Sequence, residues 1–386
     1  MLNTLAIANY RSLRSITLPL GQLNLITGAN GSGKSNLYRA LRLLAETAHG
    51  GVVNALAREG GLPSTLWAGP EHITRRMRQG EVPIQGGPRQ EPVALKLGFA
   101  GEDFGYAIDL GFPSPPGGAF ALDPEIKCEA IWSGPFLRAS NVLVDRRGAM
   151  ARIKVGRSWR VVAEHLNAFE SVFTQMADPE RAPEVMTMRE SIRAWRFYDH
   201  FRSDAAAPAR LTQLGTRTPV LNHDGGDLAA AWQTICEIGD RQALDAAVQD
   251  AFPGASVDVA VSDGRFSVMF TQHGLLRSLS AAELSDGTLR YLLWIAALHT
   301  PRPPPLMVLN EPETSLHPDL LPALARLIAH AALRSQVWVV SHAARLIAAL
   351  EDIPLCNVIS LEKELSQTRI AGLRELDEPA WYWPDR

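Results

Sequence analysis

Cysteine is scarce in this chain: Cys128, Cys236 and Cys356 are all there are in 386 residues, odd in number and far apart. That excludes a disulfide framework and offers no metal-ligand spacing, so free buried thiols in a reducing compartment are expected. Lysine is scarce too. Only Lys34, Lys96, Lys127, Lys154 and Lys363 stand among 38 basic residues, and 41 acidic ones leave a formal charge of −3. No global field therefore draws the protein to nucleic acid or anionic lipid, although a local basic patch is left open. No apolar run reaches the length of a membrane span and the amino terminus has no signal-peptide pattern, which points to a cytoplasmic protein without a membrane. Internal repeats and long heptad runs are missing. With 46% hydrophobic and 20% charged residues, the composition is that of a globular protein with a sizeable core, in two or three domains or one with insertions.

The most informative stretch is Gly28-Ala29-Asn30-Gly31-Ser32-Gly33-Lys34-Ser35, which has the spacing of a phosphate-binding loop. Glycines let backbone N–H groups curl round a phosphate where side chains would block it. Lys34 supplies a point charge for the β- and γ-phosphates, Ser35 a hydroxyl for Mg²⁺, and the following helix the positive end of its dipole. The context agrees. Residues 22–27 read as a strand, and Leu37, Ala40, Leu41 and Leu44 fall at helical spacing just after the loop.

Around this stretch, residues 3–8 and 15–20 read as strands joined by a polar turn whose Arg11 or Arg14 is a candidate to lean towards nucleotide. Residues 50–92 are rich in Gly, Pro, Arg and Gln and read as a long surface excursion. Strands follow at 93–99 and 104–110 as a hairpin, a break at 113–118, then strands at 126–132, 141–145 and 151–155. The spacing predicts helices over 161–176 and 182–194, and residues 195–201 return to the core. After a turn-rich segment at 203–226 come helices at 227–238 and 241–252 and a hairpin of 256–261 with 266–271. From 284 on, apolar strands at 306–309 and 336–340 alternate with helices ending near 298, 332 and 350, and strands near 357–361 and 368–370 complete the chain. Such alternation argues for a largely parallel sheet covered on both faces.

Five motifs stand in order: the phosphate loop at 28–35, Leu284-Ser285-Asp286-Gly287-Thr288, Asn310-Glu311-Pro312-Glu313 after an apolar strand, Ser315-Leu316-His317-Pro318, and Ser341-His342. Twenty-six residues separate 285 from 311 and 31 separate 311 from 342, enough each time for one helix and one strand. Together they resemble the ABC-type ATPase core, in particular the RecF/SMC-like group known as AAA-family ATPases, over about residues 1–48 and 275–386. The resemblance implies an α/β P-loop NTPase fold, a mostly parallel sheet flanked by helices, with an antiparallel β subdomain. It also implies a division into an amino-terminal half of the core (1–48), an inserted β and helical region (49–274) and a carboxy-terminal half (275–386).

It further implies that ATP is held by Asn30, Gly31, Ser32, Gly33, Lys34, Ser35 and Asn36, and Mg²⁺ through Ser35 and position 310. Glu311 resembles the carboxylate that polarises the attacking water, at the carboxyl end of a strand where open α/β sheets present ligands. His342 resembles the switch histidine on the γ-phosphate. Lys34 completes the catalytic set. Ser285 and the backbone of Gly287 resemble the signature that caps the γ-phosphate of a second protomer, which implies an ATP-dependent homodimer with Ser315, His317 and Asp319 facing the partner. One position departs. Asn310 stands where the family has aspartate, which removes a charge beside the metal and makes slow turnover an expectation. The family's glutamine-bearing loop finds no clear match, the region near Tyr198 and Asp199 being its only candidate.

Three functions follow from the resemblance. The first is an ATP hydrolase whose dimerisation acts on DNA, in repair or in defence against foreign DNA. The second is a slow or non-hydrolysing ATP-gated switch for a partner protein. The third, a transporter's energising subunit, fits poorly with the long insertion and the form of the signature. No nuclease or protease constellation is visible, so effector chemistry is expected from another protein, encoded nearby.

Overall fold

The computed structural model describes residues 1–83, 85–86, 92–115, 118–176, 178–199, 201–374 and 377–386. Leu2–Tyr10 (β1) and Leu13–Pro19 (β2) pair antiparallel with Ile7 opposite Ile16, as their apolar patterns predict. Leu23–Gly28 (β3) feeds the glycine loop and then Lys34–His49 (α1), whose Leu37, Ala40, Leu41 and Leu44 are all buried. The surface excursion expected over 50–92 instead holds three short helices, Val52–Arg58 (α2), Gly61–Thr65 (α3) and Arg75–Arg78 (α4). Two turns or fewer leave too little periodicity to see in sequence. Residues 84 and 87–91 of that stretch lie outside the described residues.

Six strands come next: Leu95–Gly101 (β4), Phe104–Gly111 (β5), Glu125–Ser133 (β6), Val142–Arg147 (β7), Met150–Val155 (β8) and Ser158–Ala163 (β9). Of the break expected at 113–118, residues 116 and 117 lie outside the described residues. The helix expected over 161–176 is not formed. Val161 and Val162 belong to β9, and only Val172–Gln175 (α5) is helical. Two adjacent β-branched residues, paired across to β8 with Arg152 opposite Val161, override the local helical spacing. Pro183–Arg193 (α6) forms where expected, with proline in its first turn.

The remaining elements are Arg196–Tyr198 (β10), Gln213–Leu214 (β11), Leu228–Ile238 (α7), Arg241–Ala251 (α8), Ala255–Ser262 (β12), Arg265–Gln272 (β13), Leu279–Ser280 (β14), Asp286–Leu298 (α9), Leu306–Asn310 (β15), Leu321–Ala332 (α10), Gln336–Val340 (β16), Ala344–Glu351 (α11), Cys356–Glu364 (β17) and Gln367–Ile370 (β18).

These elements divide into two compact units. One comprises Met1–Gly21, Gly28–Ala194 and Ile359–Arg386, the other Gln22–Thr27 and Trp195–Val358. The first is built on an eight-stranded antiparallel sheet ordered β2-β1-β4-β5-β6-β7-β8-β9, with α1 packed against α2, α5 and α6. In the second, β10, β15, β16 and β3 run parallel in that spatial order, with Leu309 level with Tyr198, Asn310 with Val340, and Val340 with Ile26. Parallel pairing keeps the carboxyl ends of these strands along one edge. A smaller antiparallel sheet of β11, β12, β13 and β14 and helices α7 to α11 complete it. Its core gathers Leu23, Leu25, Tyr198, Trp232, Trp294 and Val339. Parallel pairing joins these four strands, and the eight-stranded sheet is antiparallel, with tight turns at β1–β2, β4–β5, β7–β8 and β8–β9. The return to the core expected at 195–201 is β10. Among the described residues no helix is long and apolar enough to cross a membrane.

Candidate functional site

Gly28, the last residue of β3, opens the phosphate loop. Gly28, Gly31 and Gly33 take φ values of 140°, 79° and 110°, which side chains rarely adopt. Space forbids them as well: a Cβ on Gly28 would lie 2.3 Å from the Leu361 carbonyl oxygen, and one on Gly33 2.1 Å from Thr368 Oγ1. Lys34 opens α1 and is buried. Its Nζ donates to the carbonyls of Gly28 (2.5 Å) and Ala29 (3.2 Å), the loop's own backbone. Asn30, Gly31 and Ser35 are exposed.

Three observations test whether this cradle suits a triphosphate. The buried Lys34 ammonium has no carboxylate partner among the described residues. The Ser32 hydroxyl is buried with no hydrogen-bond partner. No side chain caps the N-terminus of the 16-residue α1, so its first-turn N–H groups stay available. Each feature fits an anion held by the loop.

The loop's shape is fixed by a residue that sequence reading passed over. Thr368 Oγ1 donates to the Ser32 carbonyl (2.8 Å), and its own N–H donates to the Ser12 carbonyl (2.8 Å). With that hydroxyl proton committed, Ser12 Oγ must donate to Thr368 Oγ1 (2.7 Å) while accepting from Asn36 Nδ2 (2.8 Å). Asn36 therefore ties α1 to the β1–β2 turn. Arg11 pairs with Glu59 at 2.8 Å and Arg14 donates to the Glu71 carbonyl at 2.6 Å, so both are engaged beside their own turn.

In the other unit, β15 and β16 end side by side. Asn310 closes β15, and Glu311 follows in a left-handed conformation at φ 50°, its N–H donating to the Val340 carbonyl (2.8 Å). A non-glycine residue there is strained, a cost tolerated where function aims a side chain. The Glu311 carboxylate is half exposed, and its Oε1 lies 3.7 Å from His342 Nδ1. Glu313 is the unexpected member. Its side chain is only 6% exposed, and its Oε1 accepts from Ser341 Oγ (2.7 Å), His342 N (3.0 Å) and Ala343 N (3.2 Å). His342 Nδ1 stands 3.6 Å from the same oxygen, whereas Oε2 is buried without a hydrogen-bond partner. The second glutamate of Asn-Glu-Pro-Glu was the available signal. Helix α9 holds this loop from below: Trp294 Nε1 donates to the Pro312 carbonyl (3.0 Å), and the buried Arg290 donates to the Thr314 carbonyl (2.7 Å).

The signature sits at the start of α9. Ser285 is its N-cap, accepting from the Thr288 N–H (3.2 Å), with the two hydroxyls 2.8 Å apart. Arg210 fixes the approach, donating to the carbonyls of Ala281, Ala282 and Leu284 and to Asp286 Oδ1 (2.7 Å). A Cβ on Gly287 would lie 3.2 Å from the Ser315 carbonyl oxygen, so the signature and the 315–319 segment are neighbours. Ser315 takes φ 63°, and His317 accepts from the Asp319 N–H while Asp319 pairs with Arg345 at 2.9 Å. Tyr198, the glutamine-loop candidate, is a core residue. Its hydroxyl donates to the Leu221 carbonyl, and burial pushes its pKa up. Cys128 is buried and its thiol is pushed up to about 12, chiefly by desolvation; Cys236 and Cys356 are half-buried. Among the described residues no three His, Cys, Asp or Glu side chains form a metal-holding group.

Comparison with known proteins bears on the family and the fold. A family described as "AAA ATPase domain" matches residues 1–63, and one described as "AAA domain, putative AbiEii toxin, Type IV TA system" matches residues 155–348. No curated protein sequence matches the chain. Among solved structures, an SmcHead bound to the C-winged helix domain of ScpA is similar at 13% identity and TM-score 0.52, over 97% of this chain and 98% of that one. An SMC head domain from Thermotoga maritima follows at 12% identity and TM-score 0.47, over 97% and 99%. At such identity the likeness speaks to fold: an α/β fold like that of the SMC head P-loop ATPases. With half of its length matched by the second family, the chain belongs to the AAA-domain ATPase family described as "putative AbiEii toxin, Type IV TA system".

Proposed function

We propose that this protein binds and hydrolyses Mg²⁺-ATP as an ABC-type ATPase and that two copies close around two ATP molecules. The observation that carries the reading is the common edge of β3, β15 and β16, from which the phosphate loop, Asn310-Glu311 and Ser341-His342 depart. Lys34 moves its ammonium from the loop carbonyls to the β- and γ-phosphates, and the Ser32 hydroxyl and the first N–H groups of α1 gain an anionic acceptor. Ser35 and Asn310 hold the metal, whose charge, when bound, offsets that of the phosphates. Glu311 accepts the proton of the attacking water, and His342 reports the γ-phosphate back to Glu313. Ser285 and the Gly287 N–H cap the triphosphate of a second copy, with Ser315, His317 and Asp319 on the same face. In this division residues 1–48 and 275–386 make up the ATPase core and 49–274 an insertion whose β10 rejoins the parallel sheet.

The biological output we assign is action on DNA, in maintenance or in defence against foreign DNA, with the effector chemistry supplied by a partner encoded nearby. The matched family's description, a putative toxin of a Type IV TA system, is in keeping with defence. Asn310 favours a second reading, a slow ATP-gated switch for a partner protein, because a neutral amide stands beside the metal. One experiment separates the two: phosphate release and oligomeric mass, each with and without ATP, for the wild type, Glu311→Gln and Lys34→Ala. Hydrolysis requires a turning-over wild type, a Glu311→Gln dimer trapped by ATP, and no ATP response in Lys34→Ala. ATP-driven dimers with negligible phosphate release select the switch. A Lys34→Ala protein that binds ATP normally overturns both.

A further inference from the structure

Residues 138–160 carry seven basic side chains and a single acidic one, in a chain whose acids otherwise outnumber its bases. Arg146 is internal, paired with Glu129 at 2.8 Å with both side chains fully buried. The other six, Arg138, Arg147, Arg152, Lys154, Arg157 and Arg160, reach the surface. Asp145 is matched with Arg152 (2.6 Å) and Arg147 (3.4 Å), whereas Arg138, Arg157 and Arg160 make no ion pair among the described residues. Six surface cations against one carboxylate leave a concentrated positive field on a protein whose total charge is −3.

The sheet arranges this charge. β9 is the terminal strand of the eight-stranded sheet, with no strand beyond it among the described residues. Its register with β8 sets Trp159 opposite Lys154 on one face and Arg160 opposite Ile153 on the other. Arg157 stands at the hairpin tip beside Gly156, which turns at φ 62°. Trp159 is 38% exposed and carries the Arg152 guanidinium over its ring at 4.6 Å. Arginine forks match phosphate oxygens bidentately, and an exposed indole gives a base a surface to stack on. Cations on both faces, interspersed with the exposed Met150, Val155 and Val161, set this edge apart from an interfacial membrane anchor, which buries one wholly apolar face.

We propose that the β7–β8–β9 edge is a landing surface for nucleic acid, with Arg138, Lys154, Arg157 and Arg160 on the phosphate backbone and Trp159 stacked on a base. This rests on the reading of the protein as acting on DNA and gives that action a place on the molecule. The full chain is titrated by fluorescence anisotropy against labelled single strands and duplexes of ~30 units between about 50 and 200 mM salt, with anionic phosphatidylserine vesicles as a parallel probe. The variants are Lys154→Glu/Arg157→Glu/Arg160→Glu and Trp159→Ala, with melting temperature and ATP binding as checks of folding. The triple variant is expected to bind at least ~10-fold more weakly, with a salt dependence shallower by about 2 for single strands. Trp159→Ala is expected to lose about tenfold on single strands and little on duplex. Wild-type binding matched by the triple variant removes this surface while leaving the DNA reading intact. A wild type that binds neither strand nor duplex ends both, and capture by vesicles without nucleic-acid binding replaces the surface's partner with a membrane.

Discussion

Two buried glutamates, one in each unit, are held by opposite rules. Glu129 is fully satisfied. Its Oε1 accepts from Tyr106 (2.7 Å) and Ser171 (2.5 Å), and its Oε2 from Arg146 (2.8 Å) and the Val172 N–H (3.0 Å). Arg146 spends its other donors on the carbonyls of Gly148, Glu170 and Asn167. Burial and the neighbouring carboxylate hold the Tyr106 phenol well above its usual range. Glu313 instead loads three donors onto Oε1 and leaves Oε2 buried and bare. A closed network of charges rigidifies a fold, whereas a buried oxygen without a donor keeps a valence for something that arrives later. Burial alone does not distinguish the two. The count of filled lone pairs does.

The largest effect expected follows from breaking the closed network. Arg146→Met strands a fully buried carboxylate together with the hydroxyls trained on it, at a cost of about 3–5 kcal/mol, measured as a fall in urea midpoint. A variant as stable as the wild type would mean that Glu129 finds water, and the contrast with Glu313 would dissolve.

Next comes a buried base. His299 is 5% exposed, and desolvation, with help from His330 and Arg334, pushes it down to about 4 from an ordinary 6.5. Its folded value is depressed, so the unfolded chain takes up the proton first as pH falls. Stability present above pH 6.5 is therefore lost as pH drops towards 4, by up to ~3 kcal/mol from this group. Urea titrations across that window should show the loss, and His299→Gln should flatten it. An unchanged slope in the variant assigns the acid sensitivity elsewhere.

Glu313→Gln sharpens the comparison directly. The amide oxygen can take over the three donors on Oε1 while the NH₂ falls in the buried Oε2 position, so folding should weaken by about 1–3 kcal/mol. What disappears is the carboxylate charge beside His342 and the bare acceptor at Oε2. Turnover is expected to fall ~10–100-fold with ATP affinity held, read from kcat and nucleotide titration together. Equal activity would make Oε2 a packing accident.

Much of this was legible in the sequence. The phosphate loop, the strand before it and the helix after it were readable because glycine spacing and an apolar run are local signals. The places of Glu311 and His342 just beyond strand ends were readable because each follows a buried apolar strand. Thr368 was not: its role depends on the Ser32 carbonyl, 336 residues away along the chain. Glu313 was visible as a letter but not as a role, because only the fold brings Ser341, His342 and Ala343 to its carboxylate. The helix expected over 161–176 failed for a related reason, since the pairing of β9 with β8 is non-local and outweighed a weak local period.

The smallest effect tests the departure at Asn310. Level with Val340 and just before Glu311, it is the position we propose beside the metal, where a carboxylate would add charge. Asn310→Asp places a third carboxylate near Glu311 and Glu313. With Mg²⁺ present the added charge is offset by the cation. ATP affinity should therefore stay within about threefold at saturating Mg²⁺ while single-turnover hydrolysis rises by up to ~10-fold. A large loss of Mg²⁺-ATP affinity would instead show that the amide donates a bond no carboxylate can replace, and that Asn310, unlike Glu313, is tuned as a donor.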